Sequence, residues 1–189
     1  MTAAATEKRP NIIFLLTDDQ RWDTLGCMGN PHIHTPNLDA LGNQGVVFPN
    51  AFVTTSICCT SRASILSGQY ARRHGIHDFG TPFTPEAFAE TYPALLREAG
   101  YYTGFVGKYG VGTDLPENEF DYFEGFAGQG HYEKNELDGK QVHLTRVMSH
   151  RTLAFLDQCP DDRPFCLSVS YKAPHCQDGD PRQFLGGVA

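Results

Sequence analysis

The feature that most constrains the fold is a short, continuous apolar run near the start of the chain. Residues 11–17 read Asn-Ile-Ile-Phe-Leu-Leu-Thr, and two carboxylates, Asp18 and Asp19, follow at once. Because the apolar residues do not alternate with polar ones, we expect a strand that is buried on both faces, as in a parallel sheet. Three further segments have the length and composition of strands: residues 46–53, 101–107 and 164–171.

Helical patterns separate these strands. They cover residues 35–42, 61–68 and 91–99, and apolar residues repeat at helical spacing from Leu144 to Leu156. The alternation predicts an α/β fold with a mostly parallel central sheet flanked by helices. Residues 110–142 are rich in Gly, Asp, Glu and Asn, and we expect them to form a long irregular insertion.

Polar side chains follow three of the predicted strands. Asp18 and Asp19 follow the first, Lys108 follows the strand at 101–107, and Lys172 and His175 come after the last. The carboxyl ends of parallel strands share one edge of a sheet, where ligands bind. We therefore expect these side chains to form one site.

The adjacent carboxylates Asp18 and Asp19 repel each other unless positive charge compensates them. Their hard oxygen atoms suit calcium or magnesium. The alternative is a helix N-cap, in which an Asp side chain caps the residues from Gln20 onward.

Composition limits the partners. With 40% apolar and 20% charged residues, the chain of 189 residues can build a packed core. The net charge is −7 and the longest basic block is Arg72–Arg73, so we expect no nucleic-acid partner. No apolar run approaches the length of a membrane span. Residues 1–10 lack the apolar core of a secretory signal and are predicted to be a disordered extension, which leaves both a cytoplasmic and an exported protein open.

The six cysteines contain no Cys-x-x-Cys pair, which disfavours a zinc ribbon. We interpret Cys27, Cys159 and Cys166 as buried thiols. Cys58 differs, because it lies in a run of small polar residues that leads into the helix at 61–68. The amides at a helix N-terminus can hold an anion and lower a thiol pKa. The alternative is a loop with a buried thiol.

The run Cys58-Cys-Thr-Ser-Arg62, followed by a short helix ending in Ser-Gly, resembles the signature of the type I sulfatases, Cys-x-Pro/Ala-Ser-Arg. Arg62 fixes the register, so Cys58 and not Cys59 matches the modified cysteine of that family. Other segments resemble family motifs in the same order along the chain: residues 11–20, 35–41, 48–52, 100–108 and 171–175.

The resemblance implies an alkaline-phosphatase-like fold and formylglycine chemistry. In that family a separate formylglycine-generating enzyme oxidises the cysteine to an aldehyde. The hydrated aldehyde attacks sulfur and the alcohol leaves; the sulfated diol then expels sulfate and restores the aldehyde. Carried over to this chain, Cys58 provides the nucleophile. Asp18, Asp19 and Cys58 are the implied metal ligands, with calcium as the metal and magnesium as the alternative.

The same resemblance assigns the remaining catalytic roles. Arg62 neutralises developing charge, Lys108 binds sulfate oxygens, and His175 protonates the departing alkoxide. The implied substrate is a sulfate ester of a small molecule or carbohydrate, and most family members are exported. Two alternatives stay open: a phosphonate or phosphate monoester hydrolase of the same superfamily, and a non-catalytic fragment.

Three departures from the family pattern qualify the resemblance. Thr60 stands where the signature has Pro or Ala, and Gly110 stands where many members have a histidine. His131 or His143 from the insertion is the expected substitute for that histidine. Family members are usually more than twice as long. We therefore expect residues 11–189 to be the N-terminal portion of a sulfatase catalytic domain, with further metal ligands outside it.

Overall fold

The computed structural model describes residues 9–177, so the predicted disordered extension lies outside the described residues except at positions 9 and 10. The strands are β1 (Ile12–Asp18), β2 (Tyr102–Lys108), β3 (Tyr122–Phe126), β4 (Asn135–Leu137), β5 (Lys140–Val142) and β6 (Phe165–Pro174). The helices are α1 (Pro36–Gln44), α2 (Cys58–Ser67), α3 (Ala71–His74), α4 (Pro85–Ala89), α5 (Tyr92–Glu98) and α6 (Leu144–Gln158).

Four strands form the central sheet in the order β1-β6-β2-β3, and each neighbouring pair is parallel. The predicted parallel α/β sheet is therefore confirmed. Consecutive residues of β2 point to opposite faces and join different cores. Phe105 packs in a cluster with Leu66 of α2, whereas Val106 packs with Met148 and Phe155 of α6. Helices thus cover both faces of β2.

The interpretation of β1 as buried on both faces is wrong. Its exposure alternates along the strand, and the side chains of Ile13 and Leu15 are 52% and 47% exposed. Within residues 9–177, β1 pairs only with β6, on one side. Its outward-facing residues are only about half covered, although the sequence is apolar throughout.

Two further predictions about elements are wrong. Residues 46–53 form no strand, and Phe48 and Phe52 are exposed, because no described strand pairs with this segment. The insertion at 110–142 is not irregular throughout: β3 extends the central sheet, and β4 and β5 form a small antiparallel hairpin. Aromatic residues of β3 such as Phe123 pack on the core, which outweighs the polar composition around them.

The helix boundaries follow local signals. Pro36 occupies the first turn of α1, where its missing N–H costs nothing. Gly68 follows α2 in the left-handed conformation, with φ of 66°. α2 begins at Cys58, three residues earlier than predicted, so the cysteine lies within its first turn. No helix among residues 9–177 has both the length and the apolar character needed to cross a membrane.

Candidate active site

The predicted site residues lie at the edge of the sheet where the parallel strands end. Asp18 is the last residue of β1, Lys108 is the last residue of β2, and His175 follows β6 directly. Cys58 opens α2, and Arg62 lies one turn further along that helix. The expectation that these side chains converge on one site is met for Asp18, Cys58, Arg62 and Lys108, which are in contact.

Asp18 is the centre of this cluster. Its Oδ2 atom lies 2.6 Å from Nζ of Lys108 and 3.5 Å from Nη2 of Arg62. Its Oδ1 atom lies 3.5 Å from the Sγ atom of Cys58. All three charged side chains are buried, and Lys108 is fully inaccessible. Removing one member of such a buried set leaves an uncompensated charge and typically costs about 3–5 kcal/mol.

Charge pairing keeps Asp18 ionised. Burial by itself raises the pKa of this carboxyl group, because it penalises the charged form. The hydrogen bond from Lys108 and the positive charges of Arg62 and Lys108 outweigh burial, so the pKa is lowered overall. The cluster therefore contains two cations and one carboxylate.

The Arg62 guanidinium is held by backbone and side-chain acceptors from two strands. Nη1 donates to the carbonyl oxygen of Lys108 at 2.8 Å and to the hydroxyl of Ser170. Nη2 lies 3.5 Å from the carbonyl oxygen of Tyr171. These contacts span β2 and β6 and fix the direction of the guanidinium. Sequence reasoning missed Ser170, because a serine inside a predicted strand carries no signal of its own.

Gln129 was also missed. Its Oε1 atom accepts a hydrogen bond from Nζ of Lys108 at 2.6 Å. Gln129 lies just after β3, between Gly128 and Gly130, which have φ of 67° and 65°. A glutamine between two glycines is the only sequence signal that this residue offers. It gives the Lys108 ammonium a second oxygen partner besides Asp18.

The thiol of Cys58 does not have the lowered pKa that its place at a helix N-terminus predicts. Burial raises its pKa, and the nearby carboxylate of Asp18 raises it further. The positive charge of Lys108 acts in the opposite direction and does not compensate. The unmodified Cys58 is therefore a neutral thiol at neutral pH, which disfavours direct thiolate chemistry.

Asp19 and His175 form the more open part of the site. Asp19 has a φ of 60°, its side chain is 59% exposed, and its Oδ2 atom lies 3.6 Å from Nε2 of His175. Nδ1 of His175 lies 2.7 Å from the carbonyl oxygen of Cys176. Because a carbonyl only accepts hydrogen bonds, Nδ1 must carry a proton.

The donors around Asp18 fit a hard divalent cation. Asp18 and Asp19 supply carboxylate oxygens of the kind that calcium and magnesium prefer. Ligand atoms of Asp18, Cys58 and His175 lie within 4.8 Å of one another. The cleft lined by Asp18, Asp19, Cys58 and Arg62 has a volume of about 200 Å³. Of the predicted ligands, Asp18 and Cys58 belong to this group, and Asp19 lies beside it, with its Oδ2 atom 3.6 Å from Nε2 of His175.

Gly110 stands close to the site. It has a φ of 69°, and a Cβ atom on it would lie 2.8 Å from Cδ of Arg62. A histidine at this position would therefore collide with Arg62 as it is placed here. The expected substitutes have contacts elsewhere: His131 is hydrogen-bonded to Gln177, and His143 stacks on Tyr132.

Comparison with known proteins identifies the family. The sequence profile of the family described as Sulfatase matches residues 10–185. The chain belongs to the sulfatase family. The segment from Cys58 to Arg62, which resembles the family signature, lies at the start of α2.

Two sulfatases with curated names are similar to this chain. An N-acetylglucosamine-6-O-sulfatase of Bacteroides thetaiotaomicron is 34% identical over 177 residues, covering 89% of this chain and 31% of that protein. The human N-acetylgalactosamine-6-sulfatase is 35% identical over 226 residues, covering 98% of this chain and 43% of that protein. The sulfatase chain described here thus spans less than half the length of either relative.

Solved structures confirm the alkaline-phosphatase-like fold. One, in complex with its substrate D-glucosamine-2-N,6-O-disulfate, superposes with a TM-score of 0.79 at 34% identity, covering 89% of this chain and 35% of that chain. The phosphonate monoester hydrolase of Agrobacterium radiobacter gives a TM-score of 0.68 at 20% identity, covering 89% and 42%. The second likeness concerns the fold alone.

Proposed function

We propose that this chain carries the core of the active site of a sulfuric ester hydrolase, which cleaves a sulfate ester to an alcohol and sulfate. The observation that carries the proposal is the buried cluster of Asp18, Arg62 and Lys108 beside Cys58, in a chain of the sulfatase family. Buried cations with fixed directions bind an anionic group more strongly than exposed ones, because water does not screen them.

The charge of the buried cluster is opposite in sign to that of a sulfate ester. Arg62 and Lys108 together with the ionised Asp18 leave one net positive charge in the buried part of the site. A sulfate monoester carries a single negative charge, whereas a phosphate monoester carries about −1.5 to −2 at neutral pH. The cluster therefore attracts a sulfate ester, and a metal ion bound at Asp18 would add to this positive charge.

Each side chain takes the role that the resemblance to the family assigns to it. Arg62 and Lys108 bind the oxygens of the sulfate group and neutralise charge that develops on them. His175 faces Asp19 through Nε2, and in its doubly protonated form it donates the Nε2 proton to the departing alkoxide. Residue 58 supplies the attacking oxygen after oxidation of Cys58 to formylglycine by a separate enzyme.

Asp18, Asp19 and residue 58 would hold a calcium ion, with magnesium as the alternative. The bound ion supplies Lewis-acid stabilisation of negative charge on the sulfate. Hard carboxylate oxygens at Asp18 and Asp19 support this choice of metal. The residues described here do not by themselves provide the six or more oxygens that calcium takes.

The proposed substrate class is a sulfated sugar. Two relatives are named for sulfated N-acetylhexosamines, and a similar solved structure contains a sulfated glucosamine. The cleft beside Cys58 is lined by residues of β1 and α2 and opens to solvent through the exposed Asp19. An amino sugar with a 6-sulfate is therefore the first substrate to test.

Mass spectrometry of the peptide around Cys58 tests the chemistry. The chain should be co-expressed with a formylglycine-generating enzyme, because Cys59 and Thr60 are buried once the chain has folded. We expect the aldehyde at position 58 in the wild type and in Cys59→Ser, and its absence in Cys58→Ala. An unmodified thiol at Cys58 in an active enzyme would contradict the proposal.

Parallel assays on an aryl sulfate and an aryl phosphonate distinguish the reactions. We expect the converted protein to hydrolyse the sulfate faster. Phosphonate hydrolysis is the second candidate, since the resemblance to the superfamily leaves it open, and faster phosphonate hydrolysis would favour it. Conversion at position 58 without turnover of either ester would favour the non-catalytic alternative.

A further inference from the structure

A buried lysine on β6 has no role in the proposed reaction. Lys172 is fully inaccessible to solvent, and burying an ammonium group is costly unless its protons find partners. Its Nζ atom donates to the carbonyl oxygen of Cys176 at 3.0 Å. It also lies 5.1 Å from the centre of the Tyr132 ring, where a cation–π contact stabilises it.

The carbonyl of Cys176 accepts two hydrogen bonds. One comes from the Lys172 ammonium, and the other comes from Nδ1–H of His175 at 2.7 Å. A carbonyl oxygen has two lone pairs, so both contacts can be satisfied at once. The Lys172 contact is charge-assisted, and it holds the acceptor to which the His175 ring is bound.

Two further hydrogen bonds hold the backbone of His175 in place. Its backbone N–H donates to the carbonyl oxygen of Lys172 at 2.9 Å. The hydroxyl of Tyr132 donates to the carbonyl oxygen of His175 at 2.5 Å. The backbone on both sides of the His175 ring is thereby tied to Lys172 and to the aromatic ring that lies against the ammonium.

We propose that Lys172 is a positioning residue for His175, which fixes the ring as its Nδ1–H tautomer by holding the Cys176 carbonyl in place. Nε2 then faces Asp19 and the cleft. Partners of this kind, one contact removed from the reacting atoms, fix the tautomer and orientation of functional histidines. The catalytic consequence rests on the proposed function, because His175 is its acid, whereas the tautomer itself does not depend on that function.

Long-range ¹H–¹⁵N correlation spectra of histidine-labelled protein report the tautomer directly. They should be recorded as a pH series, and the tautomer is read from the spectra in which the ring carries a single proton. The His175→Gln variant identifies the His175 signals. We expect Nδ1–H in the wild type, and loss of Nδ1–H as the dominant form in Lys172→Met. Lys172→Arg should restore it, because a guanidinium also donates to a carbonyl.

Tyr132→Phe is the matched control. It removes the hydroxyl that binds the His175 carbonyl but keeps the ring below the ammonium, so we expect the Nδ1–H form to persist. Circular dichroism checks that each variant folds. An unchanged Nδ1–H signal in folded Lys172→Met would overturn the proposal. Should that variant not fold, the wild-type spectrum still decides, because a dominant Nε2–H form there contradicts the proposal as well.

The test of the His175 tautomer and the tests of the proposed function can fail independently of each other. Absence of formylglycine or of sulfate-ester hydrolysis would contradict the proposed function and leave the tautomer result unchanged. A tautomer that does not respond to Lys172 would remove the positioning role and leave the assignment of a sulfatase active site intact.

Discussion

Individual residues of the site differ in how far the sequence reveals them. Asp18, Cys58, Arg62 and Lys108 are predictable, because each stands in a motif and at the end of a strand or the start of a helix. Gln129 accepts a hydrogen bond from Lys108, a residue distant in sequence, and the local sequence around Gln129 does not predict this contact. The raised pKa of Cys58 is equally hidden, since it results from burial in the folded chain.

Gly110→Ala tests how closely the backbone approaches Arg62. The left-handed φ of Gly110 costs an alanine about 1–2 kcal/mol, and the collision with Arg62 adds about 1–3 kcal/mol of overpacking. In denaturant unfolding, the free energy of unfolding should fall by the sum of these two costs. Gly139 is the matched control, because it has a φ of 72° and a Cβ atom added there would meet nothing within 4 Å. Equal losses of stability in the two variants would show that Arg62 moves away freely.

Tyr92 gives the fold a sensitivity to alkaline pH. Burial raises the pKa of its hydroxyl to about 12, although a hydrogen bond with Ser168 at 2.6 Å lowers it in part. As the pH rises, the unfolded chain therefore loses this proton first, near pH 10. The contribution of Tyr92 to the free energy of unfolding is fully present below pH 10 and is lost as the pH rises towards 12. Tyr92→Phe should lessen this fall in urea unfolding measured between about pH 9 and 11. Tyr70→Phe, at an exposed ring, should follow the wild type.

Among the elements, the sequence predicts the helices and the central strands well. It predicts the strands at the edge of the sheet poorly. β2 and β6 are central strands, so their apolar sequences match their burial. β1 has an equally apolar sequence but pairs on one side only among the described residues. The segment at 46–53 has strand composition without a described strand to pair with. Hydrogen bonding to a neighbour makes a strand, and composition alone does not supply the neighbour.

The exposed face of β1 predicts an unusual tolerance to substitution. Leu15→Thr should change the free energy of unfolding by no more than about 0.5 kcal/mol, as at other surface sites. Leu167→Ala, on the buried strand β6, should cost about 2–5 kcal/mol. Leu15 lines an apolar cavity of about 480 Å³ together with Ile33 and Leu38. A loss at Leu15 comparable with that at Leu167 would mean that this face is covered in solution.

At the scale of the whole molecule, calcium should stabilise the fold through Asp18 and Asp19. With a Kd of about 1 mM, 10 mM calcium adds about 1.4 kcal/mol, or a rise in Tm of about 3–6 °C. Thermal unfolding with and without calcium measures this. Asp19→Asn should remove the effect without loss of the fold, because residue 19 is exposed and asparagine tolerates its left-handed φ. An unchanged calcium response in that variant would place the ion elsewhere.

The class of the whole molecule follows from sequence because the order of strands and helices admits few topologies. The sequence does not reveal which strands are neighbours. β1 and β2 each deliver a charged residue to the site, yet the two strands do not pair with each other, because β6 lies between them. The convergence of Asp18 and Lys108 was therefore predictable, while the element that holds them together was not.

The strand order has a consequence for how the chain is made. Among the described strands, β1 leaves the ribosome before all others, whereas β6, the only described strand that pairs with it, comes after all others. Until β6 emerges, the apolar residues of β1 have no sheet to join. An unpaired apolar strand of this kind is prone to aggregation. Asp18 and Lys108 likewise stay in water until that strand is inserted between them. The contact between Asp18 and Lys108 therefore forms only after β6 has joined the sheet.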